Sequence, residues 1–279
     1  KYIPILSFLL NRILAKFPLL ERLTFWNYTI ARPKPKRNEI HNYSVSVVVP
    51  ARNERGHIRE ILKRVPVMGR FTELIFIEGE STDGTWEEIG RAVKDYQGSV
   101  KIVSARQEGT GKADAIRKGF SLASGEILMI LDADLTVPPE ELPNFYHVLA
   151  SGEAEYVHGS RLVYSLEEGA MRFFNLLANK FFGLIFSWLL KQRVKDTLCG
   201  TKVLFRSDYE RIVQSRKYFG DFDPFGDFDL IFGASKLSLK MLEMPIHYQR
   251  RAYGESNISR FRHGLLLLKM CWFAMRKIE

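Results

Sequence analysis

Short apolar runs alternate with amphipathic segments through the first half of the chain. Four runs rich in branched apolar residues have the length of strands, at residues 44–49, 73–78, 100–104 and 127–131. Three segments with helical spacing of apolar residues lie between them, at residues 53–64, 85–96 and 112–123. Strands that alternate with helices in this way predict βαβ units, and therefore an α/β fold with a mostly parallel sheet flanked by helices.

The rest of the chain is less regular. Three further strands are predicted at residues 156–160, 201–205 and 240–244, and two helices at residues 207–215 and 225–235. The ends carry one or two amphipathic helices at residues 3–30, a basic Pro-containing linker at residues 31–39 and a final helix at residues 265–277. We therefore expect an N-terminal segment with its linker (1–40), a main domain (41–260) and a C-terminal apolar and basic helix (261–279).

One stretch, residues 171–190, is nearly long enough to cross a membrane. It is mostly apolar and aromatic, but Asn175, Asn179 and Lys180 interrupt it. Three polar residues argue against an ordinary span. A core helix, an oligomer contact and a pair of amphipathic helices resting on a membrane interface are the alternatives.

The chain carries more basic than acidic residues. Its 279 residues include 41 lysines and arginines against 32 acids, a formal charge of +9, and 46% are hydrophobic, which is enough for a large core. A basic surface favours anionic partners such as nucleotides, phospholipid head groups or phosphate-bearing acceptors, although an ordinary solvated face accounts for part of the excess. No nucleic-acid-binding motif is present and acids cluster where phosphates would approach, so we expect no nucleic-acid partner.

Two further features concern the cellular setting. Cys199 and Cys271 lie far apart and neither belongs to a metal-spaced pair, which favours a reducing compartment, with a single bridge as the alternative. The chain starts at Lys1, and charged residues interrupt the apolar positions of its first helix, so we expect no signal peptide. An upstream domain is left open.

The most informative polar residues follow the fourth strand. The run 127–131 leads directly into Asp132 and Asp134, which only Ala133 separates. A strand buried on both faces delivers these carboxylates to the carboxyl end of a parallel sheet, where open α/β sheets bind ligands. Two carboxylates on a turning loop suit a hydrated divalent cation, Mg²⁺ or Mn²⁺, that also holds phosphates. A strand-end Asp that caps the next helix is the alternative.

Three more motifs follow the first three strands. Pro50 ends the first strand, Asn53 is placed to cap the next helix, and Glu54 is free to accept hydrogen bonds from a base or ribose. Residues 78–85 (EGESTDGT) combine acids and small residues suited to ribose and base, and they lead into a capping box. Residues 109–114 (GTGKAD) place a Lys at a helix start after glycines, which suits a diphosphate but lacks the full Walker spacing. Each motif alone is equally typical of an ordinary capped turn, and their order at successive strand ends carries the functional prediction.

The succession SVVVPARNE, ELIFIEGESTDGT and GKADAIRKGFSLASGEILMILDADLTVPPEEL resembles the nucleotide-sugar-binding half of an inverting family 2 glycosyltransferase with the GT-A fold. The second half contains HGSRL, DTLCGTKVLFR, FGDFDLIFGA and EMPIHYQRRAYGESNIS. These segments resemble the dolichyl-phosphate mannose synthase branch, which includes bacterial polyprenyl-phosphate glycosyltransferases. The resemblance covers residues 44–259. It implies a GT-A domain and a site at the strand ends.

The resemblance also implies roles for individual residues. The implied donor-binding residues are Pro50, Arg52, Asn53, Glu54, Glu80, Asp83, Lys112, Asp114, Asp132, Ala133 and Arg251. Asp132 and Asp134 would serve the metal and the diphosphate, and Arg161 and Arg172 would meet the acceptor phosphate. Residues 78–81 read EGES where the family commonly has Asp-Asp-x-Ser, which leaves GDP- and UDP-linked donors as alternatives.

The implied reaction is a metal-dependent inverting transfer of a hexose, mannose favoured, from a nucleotide-diphosphate sugar to a polyprenyl or dolichyl phosphate. We expect the protein to be peripheral on the cytoplasmic face of an anionic membrane, with a homo-oligomer left open. The alternative is a family 2 enzyme with a saccharide or other soluble acceptor. A hydroxyl acceptor would need a general base, for which Asp227 and Asp229, with Asp196 behind them, are the candidates.

Overall fold

Among the residues described, seven strands form one sheet in this computed structural model. The structure describes residues 10, 30–33, 40–164, 173–190, 192–214, 228–251, 253, 268–269 and 271–272. The strands are β1 (Val45–Ala51), β2 (Thr72–Glu78), β3 (Lys101–Arg106), β4 (Ile127–Ile130), β5 (Tyr156–Ser160), β6 (Lys202–Phe205) and β7 (Met241–Pro245). Their order is β3-β2-β1-β4-β6-β5-β7, and β6 runs antiparallel to both of its neighbours while the other pairs are parallel. The predicted α/β fold with a mostly parallel sheet is confirmed.

Helices cover both faces of the sheet. Within the described ranges they are α1 (Ile58–Arg64), α2 (Thr85–Asp95), α3 (Lys112–Leu122), α4 (Leu142–Ala150), α5 (Phe173–Leu190), α6 (Arg206–Gln214) and α7 (Phe228–Lys236), with 3₁₀ turns at Arg55–His57 and Pro139–Glu141. One apolar cluster joins α1, α2 and α4 to one face of the sheet, and a second joins α3, α5, α6 and α7 to the other. Every predicted strand lies within two residues of its expected bounds.

The central strands are buried on both faces, as predicted for β4, whose four residues are all inaccessible. In β1, Val47 and Val49 belong to one apolar cluster and Val48 to the other, because successive side chains of a strand point to opposite faces. Helix α3 comes close to β1 at Gly119, where a side-chain carbon would collide with Val48. This burial fixes the strand ends, and therefore the polar loops that follow them.

The structure corrects one strand boundary. Pro50 was expected to end the first strand, but β1 continues through it to Ala51, and Pro50 pairs with Ile77 of β2. Proline is tolerated here because the β1–β4 ladder ends at Val48, whose carbonyl accepts the amide of Leu131. The N–H that Pro50 lacks would point to that side of the strand, where no further ladder bond is required.

The apolar stretch forms a single helix, α5, so the pair of helices considered from the sequence is not what forms. Phe182 and Phe186 are buried in the second apolar cluster, which agrees with a core helix. Leu177, Phe181 and Leu184 are exposed at 56%, 52% and 73%. Within the described residues, no helix has the length and hydropathy needed to cross a bilayer.

Several expectations fall outside the described residues. They include most of the amphipathic segment at residues 3–30, the linker at residues 34–39 and the greater part of the C-terminal helix. Four C-terminal residues, 268–269 and 271–272, are described and are helical, and Cys271 packs into the second apolar cluster. The three-part division at 1–40, 41–260 and 261–279 stays a prediction.

Candidate functional site

The candidate site lies at the carboxyl ends of β1, β2 and β4. The strand order reverses between β1 and β4, because β2 and β3 extend the sheet on one side of β1 and β4 lies on the other. Open α/β sheets bind their ligands at such a reversal. The loops at residues 52–54, 79–84 and 131–136 therefore come together, as the order of the motifs predicts.

A tight turn after β4 fixes the carboxylate of Asp134. Its Oδ1 accepts hydrogen bonds from the backbone N (3.1 Å) and the hydroxyl (2.8 Å) of Thr136. Leu135, between them, has a φ of 54°, a left-handed conformation that branched and bulky residues rarely adopt. The other carboxylate oxygen, Oδ2, accepts a hydrogen bond of 2.8 Å from Nη2 of Arg251, which lies after β7. Asp134 is thus held by both neighbouring and distant residues.

Glu54 is buried, which differs from the expectation that it would be free. Its side chain is 8% exposed, and its Oε1 lies 3.2 Å from Nη1 of Arg251. The other oxygen, Oε2, lies 2.9 Å from Nδ1 of His57. Because Arg251 also binds Asp134, one guanidinium joins the loop after β1 to the loop after β4. The sequence did not predict this contact, since Arg251 lies almost 200 residues from Glu54 along the chain.

Asp132 pairs with the lysine of the Gly-rich loop. Nζ of Lys112, the first residue of α3, lies 2.5 Å from Oδ1 of Asp132. Burial by itself raises the pKa of Asp132, but the charge and hydrogen bond of Lys112, followed by Lys202 and Arg161, bring that pKa below its usual value. Gly200 lies against this pair, and a side-chain carbon there would collide with the Asp132 carboxylate. The Asp132–Lys112 pair is therefore closely packed, and its lowered pKa favours the ionised form of the Asp132 carboxylate.

The loop after β2 is organised by side chains of the loop after β1. Asn53, with a φ of 58°, accepts a hydrogen bond of 2.8 Å from the amide of Thr82 through its Oδ1 and donates its own amide to Ser81. Asn53 thus binds the neighbouring loop and does not cap α1, whose start has no side-chain cap. Arg52 and Glu80 are exposed at the same edge, and Ala133 is buried below it.

The capping box expected at Thr85 and Glu88 does not form. Gly84, at a φ of 83°, is the N-cap of α2, so Thr85 is already helical. The Thr85 hydroxyl contacts Oδ1 of Asp83 and accepts the amide of Glu54 at 2.9 Å. Burial raises the pKa of Asp83, but hydrogen bonds from Thr85 and from the amide of Arg55 outweigh it and lower that pKa. Asp83 therefore ties the β2 loop to the β1 loop.

The Gly-rich loop is closed by its own acid. Oδ2 of Asp114 accepts the amide of Gly109 at 2.8 Å, and a side-chain carbon on Gly109 would lie 2.7 Å from Oδ1. Asp114 thus shapes the loop that places Lys112 at the helix start. Gly111 precedes the helix with a φ of 85°. The sequence identified this loop correctly as a turn before a helix, but gave no indication that Asp114 closes it.

A second, buried ion pair joins Arg161 and Asp196. Arg161, just after β5, binds Asp196 through its backbone N (3.0 Å), its Nε (2.7 Å) and its Nη2 (2.8 Å). Asp196 also accepts hydrogen bonds from the amide of Leu198 and from the side chain of Asn179 in α5. The Arg161 guanidinium lies over the ring of Tyr248, 5.2 Å from its centroid. Asn179, treated as an interruption of an apolar stretch, is thus part of a polar network.

A second carboxylate supports the Asp196 loop from the edge strand. Glu243 of β7 accepts the amides of Lys195 and Asp196 and lies 3.2 Å from Nε2 of His158, its direct neighbour on β5. Burial raises the pKa of Glu243, but these hydrogen bonds lower it overall. Glu243 begins the segment EMPIHYQRRAYGESNIS, but the sequence gave it no role, since its partners lie 47, 48 and 85 residues away.

The candidate general bases differ in what surrounds them. Asp196 is fully buried, and although burial raises its pKa, the charge and hydrogen bonds of Arg161 bring that pKa far below the usual value. A carboxylate held by these donors is a poor proton acceptor, so its contacts favour a role in holding Arg161. Asp229 lies in the first turn of α7, near Tyr209, whose pKa burial raises to about 12. Asp227 and Arg172 lie outside the described residues.

Comparison with known proteins identifies the family to which these loops belong. The sequence pattern described as Glycosyl transferase family 2 matches residues 46–213. The chain belongs to glycosyl transferase family 2. The matched range begins in β1 and ends in α6, so it contains the Asp132–Asp134 loop, the Gly-rich loop and the Arg161–Asp196 pair.

Relatives in this family include transferases that act on lipid phosphates. The chain is 29% identical over 220 residues to a dolichol-phosphate mannosyltransferase of Pyrococcus furiosus, covering 77% of this chain and 59% of that protein. It is 37% identical over 109 residues to the Saccharomyces cerevisiae enzyme of the same name, covering 37% and 40%. It is 25% identical to an undecaprenyl-phosphate 4-deoxy-4-formamido-L-arabinose transferase of Enterobacter, covering 79% and 64%. The chain thus spans less than two thirds of each of these relatives.

Solved structures of another sugar-transferring enzyme share the fold. Glucosyl-3-phosphoglycerate synthase from Mycobacterium tuberculosis, crystallised with Mn²⁺ and UDP, aligns with a TM-score of 0.61 at 19% identity over 90% of this chain and 86% of that one. A second structure of that enzyme, with Mn²⁺ and UDP-glucose, aligns with a TM-score of 0.60 at 20% identity over 85% of this chain and 80% of that one. The chain therefore shares its overall fold with these Mn²⁺-containing enzyme structures.

The acids of this family 2 site have the chemistry of a divalent cation site shared with a ligand. Asp132 and Asp134 offer hard carboxylate oxygens at one sheet edge, as Mg²⁺ and Mn²⁺ prefer. In the described part of the chain, no three His, Cys, Asp or Glu side chains converge to enclose a metal by themselves. Two carboxylates with remaining positions for water and phosphate oxygens match the way that Mg²⁺ is held beside substrate phosphates. The residues present therefore fit the metal that the family implies.

The two cysteines take no part in this chemistry. Cys199 and Cys271 are both buried free thiols, so the single bridge considered from the sequence does not form. Burial raises the pKa of each thiol to about 11. A neutral buried thiol is a weak nucleophile and a weak metal ligand.

Proposed function

We propose that this chain transfers a hexose, mannose favoured, from a nucleotide-diphosphate sugar to a polyprenyl or dolichyl phosphate, with inversion at the anomeric carbon. The observation that carries the proposal is the convergence of Asp132, Asp134, Lys112 and Arg251 at the switch point between β1 and β4. When a sugar nucleotide reacts, acidic side chains are needed to bind the cation and basic side chains are needed to bind the diphosphate. Both kinds of side chain must lie at the same point of the site. The named relatives that act on dolichol phosphate and undecaprenyl phosphate support the acceptor class.

The donor's leaving group is a nucleoside diphosphate, which gains negative charge as the glycosidic bond breaks. Lys112, placed at the start of α3 by the Gly-rich loop, and Arg251 supply positive charge beside the two aspartates. Asp132 and Asp134 would hold Mg²⁺ or Mn²⁺, which when bound supplies further neutralisation of the diphosphate. The loops after β1 and β2, with Pro50, Asn53, Asp83 and their neighbours, would bind the ribose and base.

The acceptor side would be served by Arg161. Its Nε and Nη2 are committed to Asp196, which fixes the plane of the guanidinium over Tyr248. A fixed guanidinium can position an anionic phosphate oxygen for attack on the anomeric carbon. A phosphate oxygen is already ionised near neutral pH, so no strong general base is needed. A poorly basic Asp196 agrees with such an acceptor better than with a sugar hydroxyl.

The exposed side of α5 supports binding at a membrane surface. Leu177, Phe181 and Leu184 lie one helical turn apart on a single face, opposite the residues buried in the core. Such a row of apolar side chains can enter the boundary between lipid head groups and acyl chains, and the formal charge of +9 favours an anionic leaflet. We place the protein at the cytoplasmic face, where a polyprenyl phosphate and a sugar nucleotide can meet.

The proposal is tested with a donor and acceptor panel. GDP- and UDP-linked radiolabelled hexoses are incubated with polyprenyl phosphate in vesicles, or with soluble saccharides, each with Mn²⁺ or with chelator. We expect label in the organic extract, with one nucleotide preferred, and loss of that product with chelator. Label that stays in the aqueous phase and requires a saccharide would instead establish the soluble acceptor. No transfer from any donor to either acceptor would refute a glycosyltransferase function for this chain.

A further inference from the structure

A single side chain, Arg251, links the loops after β1 and β4. Its Nη2 lies 2.8 Å from Oδ2 of Asp134, and its Nη1 lies 3.2 Å from Oε1 of Glu54. Arg251 is 24% exposed and both carboxylates are less exposed than that. The segment that carries it is held in place, because the amide of Gln249 donates to the carbonyl of Thr136 at 2.9 Å. The guanidinium is therefore positioned and partly removed from water.

The contacts of Asp134 leave no unoccupied carboxylate oxygen. Oδ1 accepts two hydrogen bonds from Thr136, and Oδ2 binds Arg251. A divalent cation that ligates Asp134 must therefore compete with the guanidinium or approach against its charge. In a partly buried site this competition is stronger than it would be in bulk water.

Charge balance indicates how the competition is resolved. Glu54, Asp134 and Arg251 together carry one excess negative charge. A divalent cation alone would leave an excess positive charge beside the guanidinium, and the diphosphate of a sugar nucleotide alone would add two negative charges to the two carboxylates. A cation and a diphosphate together restore the original balance, and the guanidinium can then pair with a phosphate oxygen.

We propose that Arg251 is an exchangeable counter-cation, which neutralises Asp134 in the donor-free protein and passes to the donor's diphosphate when a divalent cation takes Asp134. This proposal rests on the proposed function only in naming a nucleoside diphosphate as the anion. Arg251 then opposes the binding of a cation alone and favours the binding of a diphosphate alone. Metal and sugar nucleotide consequently bind with positive coupling, and linkage requires that each raise the affinity for the other by the same factor.

The test measures each ligand separately on the full chain and on Arg251→Gln. Mn²⁺ is titrated without nucleotide and followed by the electron paramagnetic resonance signal of the free ion. GDP and UDP are titrated calorimetrically in chelator. Replacing Arg251 should raise the affinity for Mn²⁺ alone and lower the affinity for the metal-free nucleoside diphosphate, each by about fivefold or more, the lower end of typical coupling factors. Asp134→Asn should abolish the Mn²⁺ signal change, which shows that the ion reports on this site.

The opposite signs of the two effects separate an exchange from other roles. If Arg251 only maintains the structure of the loop, both affinities fall. If it only contacts the diphosphate, the Mn²⁺ affinity does not change. Either result overturns the proposal.

Two further variants serve as controls. Arg250→Gln removes the same formal charge from the adjacent position, and the proposal fails if this variant reproduces both effects of Arg251→Gln. Arg251→Lys keeps the charge but loses the two-pronged geometry, so its Mn²⁺ affinity should lie between those of the wild type and Arg251→Gln. It also serves as the test if Arg251→Gln does not fold, which thermal denaturation shows. Failure of the wild type to bind either nucleotide would refute the proposed function, whereas the Mn²⁺ titration would still test Arg251.

Discussion

Two regions of the sheet, one around β1 and β4 and the other around β5 and β6, hold their charged side chains in different ways. Around β1 and β4, Lys112, Asp134 and Arg251 are each partly accessible and form pairs that a ligand can replace. Around β5 and β6, Asp196 is fully buried and Arg161 nearly so, and the protein itself supplies every contact that fixes them. Charged side chains around β1 and β4 are therefore suited to exchange ion-pair partners when a ligand binds. The Arg161–Asp196 pair is suited to keep one fixed geometry. The comparison predicts that mutations on the two sides have different consequences.

The largest effect should follow the loss of Asp196. Asp196→Ala leaves the Arg161 guanidinium buried without its counter-ion, and breaking such a pair by removing one partner costs about 3–5 kcal/mol. We expect the free energy of unfolding, measured by urea denaturation, to fall by that amount. Arg251→Ala, on the other side, should change it by much less. Equal losses in the two variants would show that the two sides do not differ as described.

The same ion pair sets a pH dependence of stability. The pKa of Asp196 is lower in the folded protein than in the unfolded chain, chiefly because the Arg161 interactions outweigh burial. The stability it contributes is therefore fully present above the unfolded value of about 3.9 and is lost as the pH falls towards the folded value. We expect unfolding in acid to begin below about pH 4 and this contribution to stay constant between about pH 5 and pH 7. In Asp196→Ala the acid-dependent loss should be smaller.

A loss of catalysis without a comparable loss of stability is expected at Asp134. Asp134→Asn keeps the shape and the Thr136 contacts but removes the charge that faces Arg251. Removal of one preorganised electrostatic group typically lowers kcat by about 10²–10³-fold, and we expect a drop of that size in the formation of lipid-linked sugar. The melting temperature should stay close to that of the wild type. Turnover that survives in Asp134→Asn would contradict the role assigned to this residue.

The difference between the two sides also explains what could be predicted from the sequence. Around β1 and β4 the functional residues directly follow buried strands, so apolar runs and the parallel arrangement are sufficient to bring Asn53, Asp83 and Asp134 to one edge. The same reasoning located all seven strands. It does not provide the direction of β6, because a single short run looks the same in either orientation.

Apart from the local contact of Asp114 with Gly109, the missed contacts that connect the site join residues distant in sequence. Arg251 reaches Asp134 across 117 positions, and Glu243 reaches the Asp196 loop across 47. Periodicity describes neighbours along the chain, and it holds no information on such pairs. This is why Glu54 was expected to be free and is in fact paired. Thr85 was mistaken for a cap for a similar reason, because the sequence does not show that its hydroxyl faces the loop after β1.

A smaller catalytic effect is expected from crowding the Asp132–Lys112 pair. In Gly200→Ala the added carbon collides with the Asp132 carboxylate and lies 2.6 Å from Nζ of Lys112, so the pair must shift. A displacement of this kind should lower kcat/KM by about tenfold, since small misplacements of positioning groups are costly. Gly90→Ala is the matched control, because a carbon added there meets nothing within 4 Å. Helix α2 should then gain about 0.4–1 kcal/mol of stability without loss of activity.

The smallest effect should appear at the exposed face of α5. This helix belongs to the β5–β6 region, because its Asn179 binds Asp196, but its exposed face is apolar. Leu184 is its most exposed member at 73%. Leu184→Glu removes an apolar side chain and adds a negative charge. Full burial of a leucine contributes about 1.5–3 kcal/mol, and we expect Leu184 to insert only partly into the membrane. Loss of this partial insertion should weaken binding to anionic vesicles by about three- to tenfold. Cosedimentation with vesicles that contain phosphatidylserine measures this change. Val213→Glu introduces the same charge at another exposed apolar position, on α6, and should weaken binding less. Equal weakening by the two variants would mean that net charge, and not the α5 face, governs attachment to the membrane.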